Sequence, residues 1–110
     1  MTYTYLDVLA LYDSLVEQCE GFERKGKTMP YTSANGYMFS LLNKSGELGF
    51  RFSEKRKMEL IEKWGSQEFE SYNAVMKGYV LIPSEKYDSP KELIPYLTES
   101  FNYVMTLPPK

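Results

Sequence analysis

Residues 28–53 read TMPYTSANGYMFSLLNKSGELGFRFS, and their punctuation decides the fold. Asn35-Gly36 and Ser45-Gly46 separate runs rich in aromatic and apolar residues. Asn and Gly tolerate the positive φ of tight hairpin turns. The stretch therefore predicts three short strands, over 28–33, 37–43 and 47–53. In the third, Leu48, Phe50 and Phe52 alternate with Gly49, Arg51 and Ser53, so one face is apolar and the other mostly polar. The middle run, Tyr37 to Leu42, is apolar on nearly every position, as expected of a strand covered on both sides or in part by a partner. A three-stranded antiparallel meander is the simplest arrangement.

Moving toward the C-terminus, Ser53 is a plausible N-cap for a helix over 54–64. Glu54 lies in its first turn, Met58, Ile61 and Trp64 share one face, and Gly65 ends it. A weak strand over 69–72 turns at Asn73-Ala74 into a strong strand over 76–82, which Pro83 terminates; 84–88 reads as loop. Ser89-Pro90-Lys91-Glu92 combines an N-cap serine, a proline at the first helical position and a glutamate three residues after the cap. The helix it predicts has Ile94, Leu97, Phe101 and Val104 as its buried stripe and stops at Leu107-Pro108-Pro109. Pro95 removes a backbone donor, so a bend is expected in its first two turns. Toward the N-terminus, Leu6, Leu9, Tyr12, Val16 and Cys19, widened by Val8 and Leu15, mark an amphipathic helix over 4–20. Thr4 caps it, Asp7 sits near its positive end and Gly21 stops it. The order is α-β-β-β-α-β-β-α. This is an α+β domain spanning 1–110, an antiparallel β-sheet of about five strands with helices packed on it.

A chain of 110 residues has the size of one domain. Net charge is −2 and the pI is near 5.2, which gives no global attraction to DNA or RNA. The single cysteine, Cys19, cannot form an internal disulfide and fits a reducing compartment. Asp7 interrupts any signal-peptide-like run, and no stretch nears the ~18 apolar residues of a membrane span. A cytoplasmic protein with no membrane association is the expectation.

Met76-Lys77-Gly78-Tyr79-Val80 leading into a strand, Pro83 ending it, a Pro-capped helix, and Tyr103-Val104 before Leu107-Pro108-Pro109-Lys110 together resemble the TfoX/Sxy N-terminal domain family. The resemblance covers nearly the whole chain, and the pairing of the Met-Lys-Gly-Tyr strand with the Leu-Pro-Pro-Lys tail is its most specific part. It implies a compact α+β fold with an antiparallel sheet. It also implies a bacterial regulatory role linked to natural competence, since full-length members act as positive regulators of DNA-uptake genes. Those regulators carry a second, C-terminal domain, and this chain stops where the first would end. Relatives show Met-Phe-Gly-Gly at the first strand; this chain reads Met29-Pro30-Tyr31-Thr32-Ser33. The resemblance carries over no catalytic residue.

The residues themselves point away from catalysis. There is no histidine, which removes the commonest general base and metal ligand. Cys19, on the apolar stripe of its helix, reads as a small core residue. Ser33 and Ser40 have no histidine beside them, and Glu17, Glu20 and Glu23 read as a solvated face rather than a metal site. No cofactor is implied; Gly26 lacks the glycine pattern of a phosphate loop. Tyrosines 31, 37, 72, 79 and 87 fall in or beside predicted strands, and tyrosine is enriched at interfaces. Tyr31, Tyr37 and Tyr79 are the candidate partner surface. Lys25, Lys27, Arg56 and Lys57 are the candidate anion-binding residues. The preferred expectation is a non-enzymatic interaction module, regulatory in kind, working through a protein partner or self-association. A small-molecule-binding domain built on sheet aromatics is the alternative, and a nucleic-acid accessory protein using the four basic residues is the weakest reading.

Overall fold

Capping chemistry places the helices. Thr4 accepts from the Asp7 N–H (3.1 Å) while the Asp7 carboxylate accepts from the Thr4 N–H (2.9 Å), a closed capping box that starts α1 (Tyr5–Glu17). The Ser53 hydroxyl accepts from the Arg56 N–H and starts α2 (Glu54–Trp64), which ends at Gly65 with φ 60. In the computed structural model, which describes residues 3–71 and 73–110, the strands are β1 (Tyr31–Ala34), β2 (Tyr37–Leu42), β3 (Leu48–Arg51), β4 (Glu68–Ser71) and β5 (Ala74–Leu81). A final helix, α3 (Ile94–Met105), follows two short 3-10 turns. The expected order, α-β-β-β-α-β-β-α, is the observed one. Tyr72, part of the expected fourth strand, lies outside the described residues.

All pairings are antiparallel, and the sheet order is β1-β2-β3-β5-β4. Asn35 and Gly36 turn the first hairpin with φ 56 and 85, the mirror-image turn that their residue types favour. Two irregularities re-aim side chains. Ser40 faces Thr32 but Met38 faces Ser33, so Phe39 is an extra residue on β2. Phe39 and Ser40 consequently both turn to the helices: Phe39 packs against Phe22 and Phe101, and Ser40 meets the Tyr12 hydroxyl of α1. The β4–β5 register also breaks, between Glu68 and Glu70, beside Gly78 at φ 87.

The two faces of the sheet differ. On one, Val8, Tyr12, Leu15 and Val16 of α1, Leu60 of α2 and Leu97 and Val104 of α3 close over Phe39, Leu42, Leu48, Phe50 and Val80. The other carries Leu41, Phe69 and Tyr79, with Met29, Tyr31, Met38, Met76 and Leu81 around them, and none of these belongs to a helix.

Several local expectations are corrected. Leu6 is 71% exposed, because the inner face of α1 is centred on Val8, Tyr12, Leu15 and Val16. Met58 is likewise exposed; α2 buries Lys57 and Leu60 instead, since a lysine stem can pack inside when its ammonium finds carboxylates. α1 also ends at Glu17, short of Gly21. Residues 84–88 form a 3-10 turn rather than loop. The α-helix expected to start at Pro90 begins only at Ile94: the Pro95 ring excludes an α-helical carbonyl four residues back, so 90–93 wind as 3-10. Pro95 then stands in a first turn that has no use for its missing donor. Ser89 makes no side-chain cap. Finally, the face of β3 read as polar is covered at Gly49 by the Phe69 ring.

Candidate functional site

The helix-free face holds a cleft whose construction starts at Asn43, the residue after β2. Its amide nitrogen donates to the Glu47 carboxylate (3.1 Å) and to the Glu70 carbonyl (2.8 Å). Its amide oxygen accepts from the N–H groups of Ser45 (3.0 Å) and Glu47 (2.9 Å). This Asx-type arrangement fixes the β2–β3 turn and ties it to β4, two strands removed from β3. All of the buried amide's capacity is used, so Asn43 is a structural post. Phe69 gives the second tie. Its ring lies where a side chain on Gly49 would be, and it packs against Tyr79 at 6.1 Å between centroids. Tyr79 in turn donates its hydroxyl to the Met38 carbonyl (2.8 Å).

Between the turn and the β4–β5 hairpin lies a cleft of about 440 Å3. Met29 and Leu81 are its apolar members, and Asn43, Ser45, Gln67, Ser71 and Asn73 supply uncharged polar groups. Its charged lining residues are Glu47, Glu68, Glu70 and Lys44. Glu70 makes no ion pair among the described residues, whereas a Glu68 carboxylate oxygen lies 3.5 Å from the Lys57 ammonium. Ser71 is 6% exposed, and its hydroxyl has no hydrogen-bond partner among the described residues. A buried hydroxyl left unpaired costs about 1–3 kcal/mol. Among the described residues, no three His, Cys, Asp or Glu side chains are gathered closely enough to hold a metal ion.

The expected partner surface is divided by the sheet. Tyr31 and Tyr79 meet on the helix-free face. Tyr37 packs against the main core instead, donates to the Pro108 carbonyl (2.7 Å), and carries the Arg51 guanidinium and Lys110 ammonium over its ring at 5.5 and 5.1 Å. The basic residues are divided too. Lys25 pairs its backbone with Tyr31 beside β1, and its ammonium reaches the Ser33 hydroxyl (3.3 Å); Lys27, two residues on, is exposed. Lys57 is buried against Glu54 (3.0 Å) and Glu68 of β4, and β4 is the opposite edge of the sheet. The hydrogen bond it donates to the Glu54 carboxylate is the main reason the Lys57 ammonium is raised above its usual range. Arg56 grips Glu99 of α3 with two hydrogen bonds (2.8 and 3.2 Å), which raise its guanidinium in the same way. The two candidate cations on α2, Arg56 and Lys57, are thus compensated within the chain.

Cys19 lies half-buried against the core, where burial pushes its thiol up and the Thr98 hydroxyl contacts the sulfur. The cleft residues Glu47, Glu68, Glu70 and Ser71 carried no signal in the sequence. Their local pattern is that of a turn and an exposed edge strand, and Asn43 reads only as turn punctuation. No helix among the described residues is long and apolar enough to cross a membrane. Compared with protein-family models, the chain matches none, and no curated protein matches it either.

Proposed function

We propose that this chain is a non-catalytic interaction module that receives a segment of a partner protein in the cleft on the helix-free face of its sheet. The observation that carries this reading is the asymmetry of the sheet: helices close one face, and the other keeps a rigidly built cleft with an unpartnered serine in its wall. The Asn43 and Phe69 ties hold the cleft without help from a ligand, and such preorganisation lowers the entropic cost of binding. The absence of histidine from the sequence and the raised Cys19 thiol favour binding over catalysis. A regulatory role accords with the resemblance to TfoX/Sxy N-terminal domains.

The volume of about 440 Å3 also falls in the range of small-molecule sites. Such sites are lined mainly by apolar and aromatic side chains, however, and here carboxylates and amides dominate. Those carboxylates repel phosphate, and Arg56 and Lys57 are already paired, which disfavours nucleic acid.

A peptide-display selection against the full chain, followed by NMR mapping of a selected peptide, tests the proposal. Amide shifts should concentrate at Asn43, Glu47 and Ser71. Shifts confined to the helices would overturn it. So would a selection that yields no binder while a small-molecule screen finds a compound that raises the thermal midpoint.

A further inference from the structure

We propose that Arg51 anchors a second recognition site, one that takes a carboxylate, at the end of the sheet away from the cleft. The site does not rest on the cleft reading. β2 and β3 meet at the Asn43 turn, and Tyr37 and Arg51 stand at their other ends.

The first argument is a comparison within the chain. Arg24 is gripped by both carboxylate oxygens of Asp13, and Arg56 by both of Glu99. Arg51 makes no hydrogen bond and no ion pair among the described residues, and its Nε–H is buried. A guanidinium carries five N–H donors and no acceptor. Arg51 therefore keeps its whole donor set unused, where the other two arginines have a carboxylate.

The second is preorganisation. The Arg51 Cζ lies over the Tyr37 ring at 5.5 Å and over the Tyr103 ring at 5.8 Å. Tyr37 is fixed through its hydroxyl on the Pro108 carbonyl (2.7 Å), and Tyr103 rides on α3 beside the buried Val104. The arginine stem runs past Gly78, where an added Cβ would meet Cγ and Nε at 3.5 Å. The head group is thus held before a ligand arrives, so binding loses little rotamer entropy. Ring faces attract the cation but accept none of its in-plane donors as an oxygen would.

Charge and access are the third. The Lys110 ammonium lies over the same Tyr37 ring at 5.1 Å, and no carboxylate among the described residues pairs with it. Two cations sharing one ring without an acid leave a local positive potential on a chain whose net charge is −2. Tyr37, Arg51 and Tyr103 are each half-buried and Lys110 is exposed, so the group reaches the surface. With Nε closed off, the ligand meets the two terminal nitrogens, and their N–H groups match the two oxygens of a carboxylate. A phosphate monoester brings a third oxygen and close to a second full charge, more than one guanidinium edge satisfies.

The experiment titrates N-acetyl-glutamate α-amide into the full chain at low salt, with N-acetyl-glutaminamide as the neutral isostere, and follows the Arg51 Nε–H signal by NMR. A saturable shift with the acidic probe is expected, at a dissociation constant of about 1–10 mM for a ligand of this size. Arg51→Lys keeps the charge but removes the fork, and should weaken binding about fivefold or more. Lys110→Gln, on an exposed side chain that leaves the fold intact, should weaken it about twofold, and added salt should act in the same direction. Succinate and acetate distinguish the source of the carboxylate: tighter binding of succinate assigns the site to a free acid, and tighter binding of the glutamate probe to a partner's side chain. Equal shifts with the neutral isostere, or no saturable shift at Arg51, would overturn the proposal. Affinity indifferent to both variants would overturn it too, as would inorganic phosphate binding more tightly than every carboxylate probe.

Discussion

At Gly49 the sheet has no side chain, and Phe69 occupies the space. A Cβ built there would sit 2.3–2.6 Å from the Phe69 ring, although β5 lies between the two strands. The residue is small for room, since its backbone is not in the left-handed region. Phe69 is fully buried, so its ring cannot yield without opening the cluster around Tyr79 and Leu41. Gly49→Ala should therefore cost about 1–3 kcal/mol by overpacking. Urea denaturation would read this as a lower midpoint at unchanged slope. Phe69→Leu in the Gly49→Ala background should recover part of the loss. A Gly49→Ala protein as stable as the parent would mean that the ring does not depend on that gap. The buried hydroxyls of Tyr12, Ser40 and Thr32 make a second residue-scale device. They join α1 to β1 and β2 at the Phe39 bulge, so the polar Ser40 and Thr32 can face the helices without unsatisfied groups.

Among elements, the first hairpin does more than join two strands. Asn35 lies at φ 56 in its turn and donates its amide N–H groups to the carbonyls of Val104 (2.9 Å) and Leu107 (2.8 Å). Val104 is in the last turn of α3, where carbonyls have no intrahelical donor, and Leu107 lies just beyond it. The Lys110 N–H then donates to the Asn35 carbonyl (3.2 Å), and Gly36 is packed so closely by Lys110 that a Cβ would meet it at 2.5 Å. Hairpin and tail are thereby one unit. Asn35→Asp keeps a residue tolerant of the turn but replaces two donors by an acceptor facing carbonyls. A loss of about 1–3 kcal/mol is expected, with faster amide exchange at Thr106 and Leu107. Exchange that quickens everywhere equally would argue against the tail depending on Asn35. The same scale explains why the α3 start was misread. Ser89-Pro90-Lys91-Glu92 has the composition of a cap, but Pro95 four residues beyond Lys91 forbids the α-turn that the cap would begin.

For the whole molecule, titration should leave stability flat from about pH 6 to 8, because no histidine titrates there; above that the Cys19 thiol, raised by burial, begins to withdraw its contribution. Burial pushes Tyr87 up to about 12 and Tyr12 further, and Glu54 raises Lys57. Each folded value exceeds its unfolded one of about 10, so the stability these groups contribute is complete below about pH 10. It is lost as pH rises through the folded values, which for Tyr87 means between about 10 and about 12. Asp7 acts in the opposite sense: the Thr4 cap lowers its carboxyl, and that contribution disappears as pH falls through the lowered value. Thermal midpoints by circular dichroism should show a plateau, then a decline that begins above about pH 8 with Cys19 and steepens beyond about pH 10, the steep part shallower in Tyr12→Phe. A steep transition near neutrality would contradict it. The element order, the hairpin at Asn35-Gly36, the caps at Thr4 and Ser53 and the run of α2 are legible along the chain, since each is a local matter of backbone preference and apolar period. Long-range packing sets which face the helices close, that Tyr37 parts from Tyr31 and Tyr79, and that Lys57 is buried in ion pairs. It alone also brings Asn43, Glu47, Glu70 and Ser71 around one cleft. A bulge shifts the facing of a strand by one residue, and a packing gap at Gly49 draws in a ring from two strands away. Neither leaves a period in the chain, because each is settled by residues distant in sequence competing for the same space.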